Sequence, residues 1–448
     1  MEYIIGILIL ISFFGLAIYA AKGGNLMMGM LVMAILWTVL PMIGNTFATN
    51  SAFVALNADS VNISWIQAFS KVFQSGPEGW GTVLVNVVFG AWFGRVLLET
   101  GIASTLIRKT TDLGGDKPAI TCILLCIVTT AIFSSLFGAG AVVAIGVIIL
   151  PILMSLGIPK VLSVVSFMLS IGAGMFLNPV LFGQYTAFFL DAEGKTIYPY
   201  EQYVHWGGIA LAVQLIFTIC LVLFCTRKKK AVHAWAARRP MRQKMDFAPG
   251  KSLLTPFIPV FLLIVFKVPI IMGFLIGGFY ALFVCGKLKN FRTACRTFNK
   301  DFFDGVVDTA PLVGFLLMVP MFNKAAELCI PYFNALLGNI IPHSTLFITV
   351  IFCVLAPLGL FRGPFTLYGC GAATLGILKG IGFSTAFLAP LMIASTTVMN
   401  VSCCITQSWI VWGISYAKVS TRDFLKMSVV CGWIICIILQ IITFIMFG

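Results

Sequence analysis

The sequence predicts an all-α polytopic membrane protein: an inverted-topology repeat with two re-entrant hairpins, two interrupted helices and about ten full crossings. Three observations predict it: a large excess of apolar over charged residues, apolar runs long enough to span a bilayer, and an order of spans and breaks that occurs twice. Of the 448 residues, 60% are apolar and 10% charged, and the mean hydropathy is +1.04. A soluble domain is about 45–50% apolar and about 25% charged, because a globule must cover its surface with polar groups. This composition excludes a soluble enzyme, a nucleic-acid-binding domain and a disordered chain. A barrel is excluded too, since its strands alternate apolar and polar residues, whereas Met1–Ala21 and Trp433–Phe447 are apolar almost throughout.

The net charge of +14 comes from 29 Lys and Arg against 15 Asp and Glu. These charges lie mostly between apolar spans, as the positive-inside rule requires of a membrane protein, so no nucleic-acid partner is expected and the lipid bilayer is. The 13 cysteines are scattered through apolar spans without CxxC spacing, which fits small buried hydrophobes. The vicinal pair Cys403–Cys404 has no His or third Cys beside it, so packing is expected there and no metal. The N-terminal apolar stretch lacks a basic leader and a small-residue cleavage site, and reads as a retained helix.

Full crossings are expected at Ile4–Tyr19, Leu26–Ile43, Val83–Leu98, Lys160–Phe189, Trp206–Cys225, Leu253–Phe266, Ile270–Cys285, Val306–Phe322, Ser384–Tyr416 and Phe424–Phe447. Two further apolar pairs, Ala119–Leu156 and Thr345–Leu378, have Gly-rich middles. Sidedness decides how those pairs run. Thr226–Ser252 holds nine basic residues against Asp246 alone, and Lys287–Lys300 holds five, so both are expected in the cytoplasm. If each Gly-rich pair enters and leaves on one side, 23 basic residues fall inside, five outside (Lys71, Lys195, Lys267, Lys324, Lys379) and Arg362 within the membrane. A single crossing by either pair would reverse half of the loops. The asymmetry therefore selects hairpins, with both termini outside.

The basic loop divides the chain. Residues 1–225 form a first repeat, with hairpin 119–156 and broken helix 160–189; residues 226–252 are a cytoplasmic linker. Residues 253–448 form the second repeat, with hairpin 345–378 and broken helix 384–416. Each half reads crossing, crossing, interfacial stretch (Ile63–Gln74 or Phe291–Phe303), crossing, hairpin, broken helix, crossing. Phe137 maps to Phe361, Gly157 to Gly382, Asn178 to Asn400 and Gln184 to Gln407, at nearly constant displacement. Five crossings per half put the second half upside down relative to the first.

Non-helical backbone is tolerated at membrane depth only where protein buries it or it lines a wet cavity. Four such places are expected. The first hairpin turns at FSSLFGAGA (Phe133–Ala141), where Ser134 and Ser135 supply hydroxyls and Gly138 and Gly140 leave amides uncovered. The second turns at LGLFRGPFT (Leu358–Thr366), with Arg362, Gly363 and Thr366. The broken helices part around Asn178–Pro179 and along STTVMNVSCCITQ (Ser395–Gln407), where Asn400, Ser402 and Thr406 gather. Half-helix N-termini suit an anion, and unwound carbonyls with Asn and Thr side chains suit a cation or a hydroxylated substrate. An intramembrane Arg362 is costly and marks a site; its planar fork matches a carboxylate. Asp308, one turn into its crossing, is the candidate for a coupling proton. Arg95 and Glu99, at i and i+4, read as an interfacial pair. His205, His233 and His343 are unclustered, and HExxH, GxSxG and the phosphate loop GxxxxGK(S/T) are all missing from the sequence. No covalent chemistry, cofactor or direct ATP drive is expected.

On these motifs, with GMFLNPVLFGQ and the terminal SWIVWGISYAKVSTRDFLK, the chain resembles the ion-transporter superfamily, which holds gluconate permeases, citrate permeases and divalent-anion/sodium symporters. The resemblance spans nearly the whole chain. It implies a dimerising scaffold subdomain and a transport subdomain that binds substrate between the tips, at Ser134, Ser135, Gly138, Asn178, Arg362, Gly363, Thr366, Asn400 and Thr406. The sodium-coupled branch carries Ser-Asn-Thr at its tips; here the tips read Ser134–Ser135–Leu136 and Phe361–Arg362–Gly363, which favours protons. The expected function is a secondary active symporter moving a small organic anion (a sugar acid, hydroxy acid or di/tricarboxylate) across a bacterial cytoplasmic membrane, as a homodimer. A sodium-coupled carboxylate symporter and an anion channel are the alternatives.

The charge asymmetry is checked by labelling intact cells: cysteines introduced at Lys195 and Lys324 should react with an impermeant thiol reagent from outside, and one at Arg239 should not.

Overall fold

Helix boundaries follow local signals in the chain. Asn25, Ser344, Ser384 and Ser420 each accept a backbone N–H of the first turn that follows, and Ser64 with Gln67 forms a capping box. Pro118 stands in the first turn of its helix, where its missing N–H costs nothing. A computed structural model describes residues 2–22, 24–47, 53–54, 57–115, 117–189, 197–227, 248–337 and 342–448. Most of the basic linker, and the loop with Asp191, Glu193 and Lys195, lie outside the described residues.

The first half runs α1 (Glu2–Ala21), α2 (Leu26–Thr46), α3 (Trp65–Glu99), α4 (Ile102–Gly114), the hairpin arms α5 (Pro118–Phe133) and α6 (Ala139–Ser155), the interrupted pair α7 (Lys160–Met175) and α8 (Pro179–Thr186), and α9 (Tyr200–Thr226). The second half runs α10 (Gly250–Phe266), α11 (Ile270–Val284), α12 (Phe291–Leu337), the hairpin arms α13 (Thr345–Val354) and α14 (Gly371–Ile381), the interrupted pair α15 (Thr385–Ser402) and α16 (Ser408–Ala417), and α17 (Thr421–Phe447). No strand occurs among the described residues. Seven of these helices are long and apolar enough to cross a membrane, or up to nine with the bent pairs counted as spans. The order of elements is that expected from the sequence, with hairpins and interrupted helices in corresponding places.

Three details differ from expectation. Phe291–Phe303 is not a separate interfacial stretch but the start of α12, a helix of 47 residues containing Pro311, Pro320 and Pro331. At ~1.5 Å per residue it runs roughly 70 Å, more than twice the ~30 Å hydrocarbon core. Its counterpart is divided: α3 contains a π-helical turn at Lys71–Ser75, and Gly101, at φ 72°, separates α3 from α4. Second, α13 stops early. The chain bends by 65° into a 3-10 stretch, Ala356–Arg362, because Pro357 enters the new first turn without an N–H to donate. Third, α15 does not break at Ser395. It widens into a π-helix over Thr396–Ser402, and the helical gap is confined to residues 403–407.

Packing sorts the helices into two sets. α12 lies against α1, α2 and α3, and α11 against α3. Most of the hairpins and interrupted helices pack with α9 and α17: α5 on α7, α7 on α9, α13 and α15 on α17, while the hairpin arm α14 lies against α12 and bridges the two sets. The interrupted helices sit deepest, with 89% of Thr385–Ser402 buried against 22% of the best window in Tyr200–Thr226. A span exposed to that degree can meet lipid along most of its length. Exposed ion pairs also segregate. Lys71 and Lys324 meet Glu327, and Lys267 meets Glu201, all on the face assigned outside; Lys300 meets Glu99 on the other.

Candidate substrate site

The first hairpin tip is closed by its own neighbours. Ser134 Oγ donates to the Ala131 carbonyl at 2.8 Å, and Ser135 Oγ donates to the Pro256 carbonyl in the second half. Asn178 does most of the work. Its Oδ1 accepts from Val180 and Leu181 N–H at 2.9 and 3.2 Å, capping α8. Its Nδ2 donates to the Phe133 and Leu136 carbonyls, both at 2.9 Å. All four positions of the amide are filled, so Asn178 fastens the broken helix to the hairpin turn and has no hydrogen-bonding capacity left over.

Asp308 is also engaged. Arg95 reaches it in a bidentate pair, Nε–Oδ2 and Nη2–Oδ1 both 2.6 Å, so the i,i+4 partnership expected with Glu99 is replaced by a bond between α3 and α12. Glu99 pairs instead with Lys300 at 3.0 Å. The carboxylate packs on the first hairpin: a Cβ on Gly140 would stand 2.6 Å from Asp308 Oδ2. Gly138, Phe137, Arg95 and Asp308 line one small cavity there.

The second hairpin tip is built differently. Phe361 and Arg362 are both left-handed, at φ 53° and 60°, a conformation that costs non-glycine residues of order 1 kcal/mol or more. Tertiary bonds hold them: Phe361 N–H donates to Cys404 Sγ at 3.0 Å, and Cys370 N–H donates to the Arg362 carbonyl at 3.0 Å. Gly363 fits because any Cβ would meet the Leu358 carbonyl. Leu367 N–H donates to Thr396 Oγ1 at 2.9 Å, which ties the tip to the π-helical turn of α15.

Here the side chains are left with donors to spare. Arg362 Nη1 reaches the Tyr368 carbonyl at only 3.4 Å, and its guanidinium lies 5.0 Å from the Phe315 ring centroid. Among the described residues no carboxylate pairs with it. Arg362 Nε, Thr366 Oγ1, Asn400 Nδ2 and Gln184 Nε2 are buried without a hydrogen-bond partner among the described residues. Gln407 donates to Asn400 Oδ1, orienting that amide. Of the other expected residues, Ser402 faces away, donating to the Thr397 carbonyl at 3.0 Å and accepting from Gln214 at 3.2 Å. Thr406 lies beside Cys404 Sγ at 3.1 Å.

Sequence spacing did not single out Tyr185, Phe188 and Tyr368. Tyr368 OH donates to Gln184 Oε1 at 2.8 Å, Tyr185 OH meets Thr397 Oγ1 at 2.8 Å, and the two tyrosine rings stack at 5.8 Å. Both tyrosines stand next to motifs already singled out. Their mutual approach is a property of the two halves meeting, and no spacing within one half encodes it.

The fold is that of a multi-pass helical membrane protein with hairpins and interrupted helices. The chain is similar to the crystal structure of the Alcanivorax borkumensis YdaH transporter, reported to have an unusual topology: TM-score 0.61 and 11% identity, over 93% of this chain and 98% of that one. At that identity the likeness is one of fold. It does not extend to the gluconate- or citrate-permease type that the motifs resembled. No family model and no curated protein matches the chain.

The bonding of Asn178 makes a specific expectation. Asn178→Ala loses the α8 cap and leaves two buried carbonyls unpaired, at about 1 kcal/mol for the cap and about 1–3 kcal/mol per unsatisfied group. Thermal unfolding in detergent should shift down by several degrees, whereas Asn400→Ala, which unpairs only the Gln407 amide, should shift it less.

Proposed function

We propose that this protein is a secondary active transporter that moves a small organic anion, coupled to protons. One observation carries the reading: Arg362 has no carboxylate partner among the described residues, and its Nε is buried and unpartnered. Thr366 on the same tip, and Gln184 and Asn400 on the two interrupted helices, each keep a buried donor without a partner as well. Buried polar groups in folded proteins are nearly always bonded, so an unpaired guanidinium is completed by an acceptor with negative charge, and a carboxylate meets the fork bidentately. The transporter fold shared with YdaH supports the mode of action. Alternating access would move the second hairpin and the interrupted helices against the α12 scaffold.

Proton coupling rests on the same tips, which lack the Ser-Asn-Thr of a sodium site, and on Asp308. A proton on that carboxylate would release Arg95 at the foot of the first hairpin, joining protonation to movement between α3, α12 and the hairpin.

The anion site is tested on Arg362, with gluconate, malate, succinate and citrate as probes. Losing one partner of a desolvated charge pair costs roughly 2–5 kcal/mol, so Arg362→Gln should weaken binding about a hundredfold at ~1.4 kcal/mol per tenfold. Arg362→Lys should recover part of it. Lys267→Gln, at an exposed pair with Glu201, should bind as the parent does. An Arg362→Gln variant with parental affinity would reject this site. Lys379, at first sight a surface control, is unsuitable because its Nζ donates to the Phe188 carbonyl at 2.8 Å.

For coupling, uptake into vesicles should follow an imposed pH gradient and ignore sodium. Asp308→Asn should abolish gradient-driven accumulation while leaving counterflow. Strict sodium dependence would reject the proton.

A further inference from the structure

Of the five lysines that charge asymmetry leaves outside, two meet one carboxylate: Lys324 Nζ is 2.7 Å from Glu327 Oε1, and Lys71 Nζ is 3.5 Å from Glu327 Oε2. A third, Lys379, is held by the Phe188 carbonyl and the Phe189 ring, without a carboxylate of its own among the described residues. Of the other two, Lys267 is neutralised by Glu201, and Lys195 is outside the described residues. Glu78, on the same segment as Lys71, keeps its charge in its bond with the neutral Gln74 amide, so three cations and two acids leave a local charge of +1 on a face where basic residues are otherwise depleted.

An aromatic layer lies inward of this cluster. Lys379 Nζ donates to the Phe188 carbonyl at 2.8 Å and stands 4.8 Å from the Phe189 ring centroid. The Phe188 ring meets Trp80 at 5.2 Å and Tyr368 at 6.3 Å. On its inner side Tyr368 presents its carbonyl to Arg362 and its hydroxyl to Gln184. Contacts thus run from Lys379 through Phe188 and Tyr368 to Arg362 and Gln184. One segment of α3 carries both rim and floor, since the π-helical turn that bears Lys71 leads directly to Trp80.

We infer that Lys71, Lys324 and Lys379 form an anion-collecting vestibule, a first weak station that concentrates small organic anions over the aromatic layer covering Arg362. The inference rests on the anion-transport reading above. A purely structural ion pair would match one cation to one acid; here one cation is left over. Side-chain exposures of 43%, 34% and 41% for Lys71, Lys324 and Glu327 keep the cluster open to solvent. Uncompensated charge beside low-dielectric walls focuses the field and raises the local concentration of counter-ions. The field reaches about 8 Å at physiological ionic strength, far enough to act at the mouth and too short to replace Arg362.

The test measures local potential without needing a substrate. In a background with exposed Cys220 and Cys295 changed to Ser, Ser75→Cys places a thiol one turn from Lys71. The probes are an anionic sulfonatoethyl and a cationic trimethylammonium-ethyl methanethiosulfonate. Their rate ratio should favour the anion about fivefold over a free thiol in the same buffer. The Lys71→Gln/Lys324→Gln double variant or high salt should remove that preference. Glu327→Gln, which adds net positive charge, should raise it. Uptake of whichever probe anion the Arg362 test identifies should follow: kcat/KM falls in the double variant and rises in Glu327→Gln, with kcat unchanged. A structural role would lower uptake in both variants, and that result overturns the vestibule. So does a reagent ratio near that of a free thiol. If Arg362→Gln still abolishes anion uptake, only the vestibule has failed; if Arg362→Gln transports normally, the anion reading has failed with it.

Discussion

Every backbone group freed from a helix at membrane depth must find a partner within the protein, and the two hairpin tips meet that requirement in opposite ways. In the first, a side chain does it: the Asn178 amide takes the Phe133 and Leu136 carbonyls and two N–H groups of α8. In the second, the backbone closes on itself, with Gly363 N–H on the Leu360 carbonyl, Cys370 N–H on Arg362 and Gly371 N–H on Thr366. Side chains spent on backbone cannot bind a substrate. The first tip is consequently sealed, and the second keeps Arg362, Thr366 and nearby Asn400 available. A symmetric architecture thus gives an asymmetric site.

Several of the bonds that join the halves lie at the two tips. Ser135 reaches Pro256, Tyr185 meets Thr397, Tyr368 meets Gln184, and Arg95 holds Asp308. The first three are neutral hydrogen bonds, each worth about 0.5–1.5 kcal/mol net. The fourth is a bidentate ion pair beside the first hairpin, the stronger kind of bond.

Much of the fold was legible in the sequence because its rules are local or one-dimensional. Apolar runs locate helices, loop charge orients them, and the displacement from Asn178 to Asn400 identifies the repeat. Where expectation and structure part, a local or a tertiary cause can be named. The helix through Phe291–Phe303 runs on into the crossing because no proline or left-handed residue interrupts it before Val306. Arg95 prefers Asp308 to Glu99 because α3 and α12 lie side by side, a proximity that i,i+4 spacing cannot express.

The candidate site divides the same way. Sequence alone determined that Arg362 stands at a Gly- and Pro-rich turn between apolar helices, and that Asn178 and Asn400 sit at related breaks, since charge, hydropathy and turn chemistry are properties of residues in order. Only the tertiary structure decided that Asn178 is consumed in bonding while Asn400 keeps a free donor, and that Tyr185 and Tyr368 stack beside Gln184. Hydrogen-bond capacity belongs to a residue, but whether it is used depends on which carbonyls another part of the chain brings within about 3 Å.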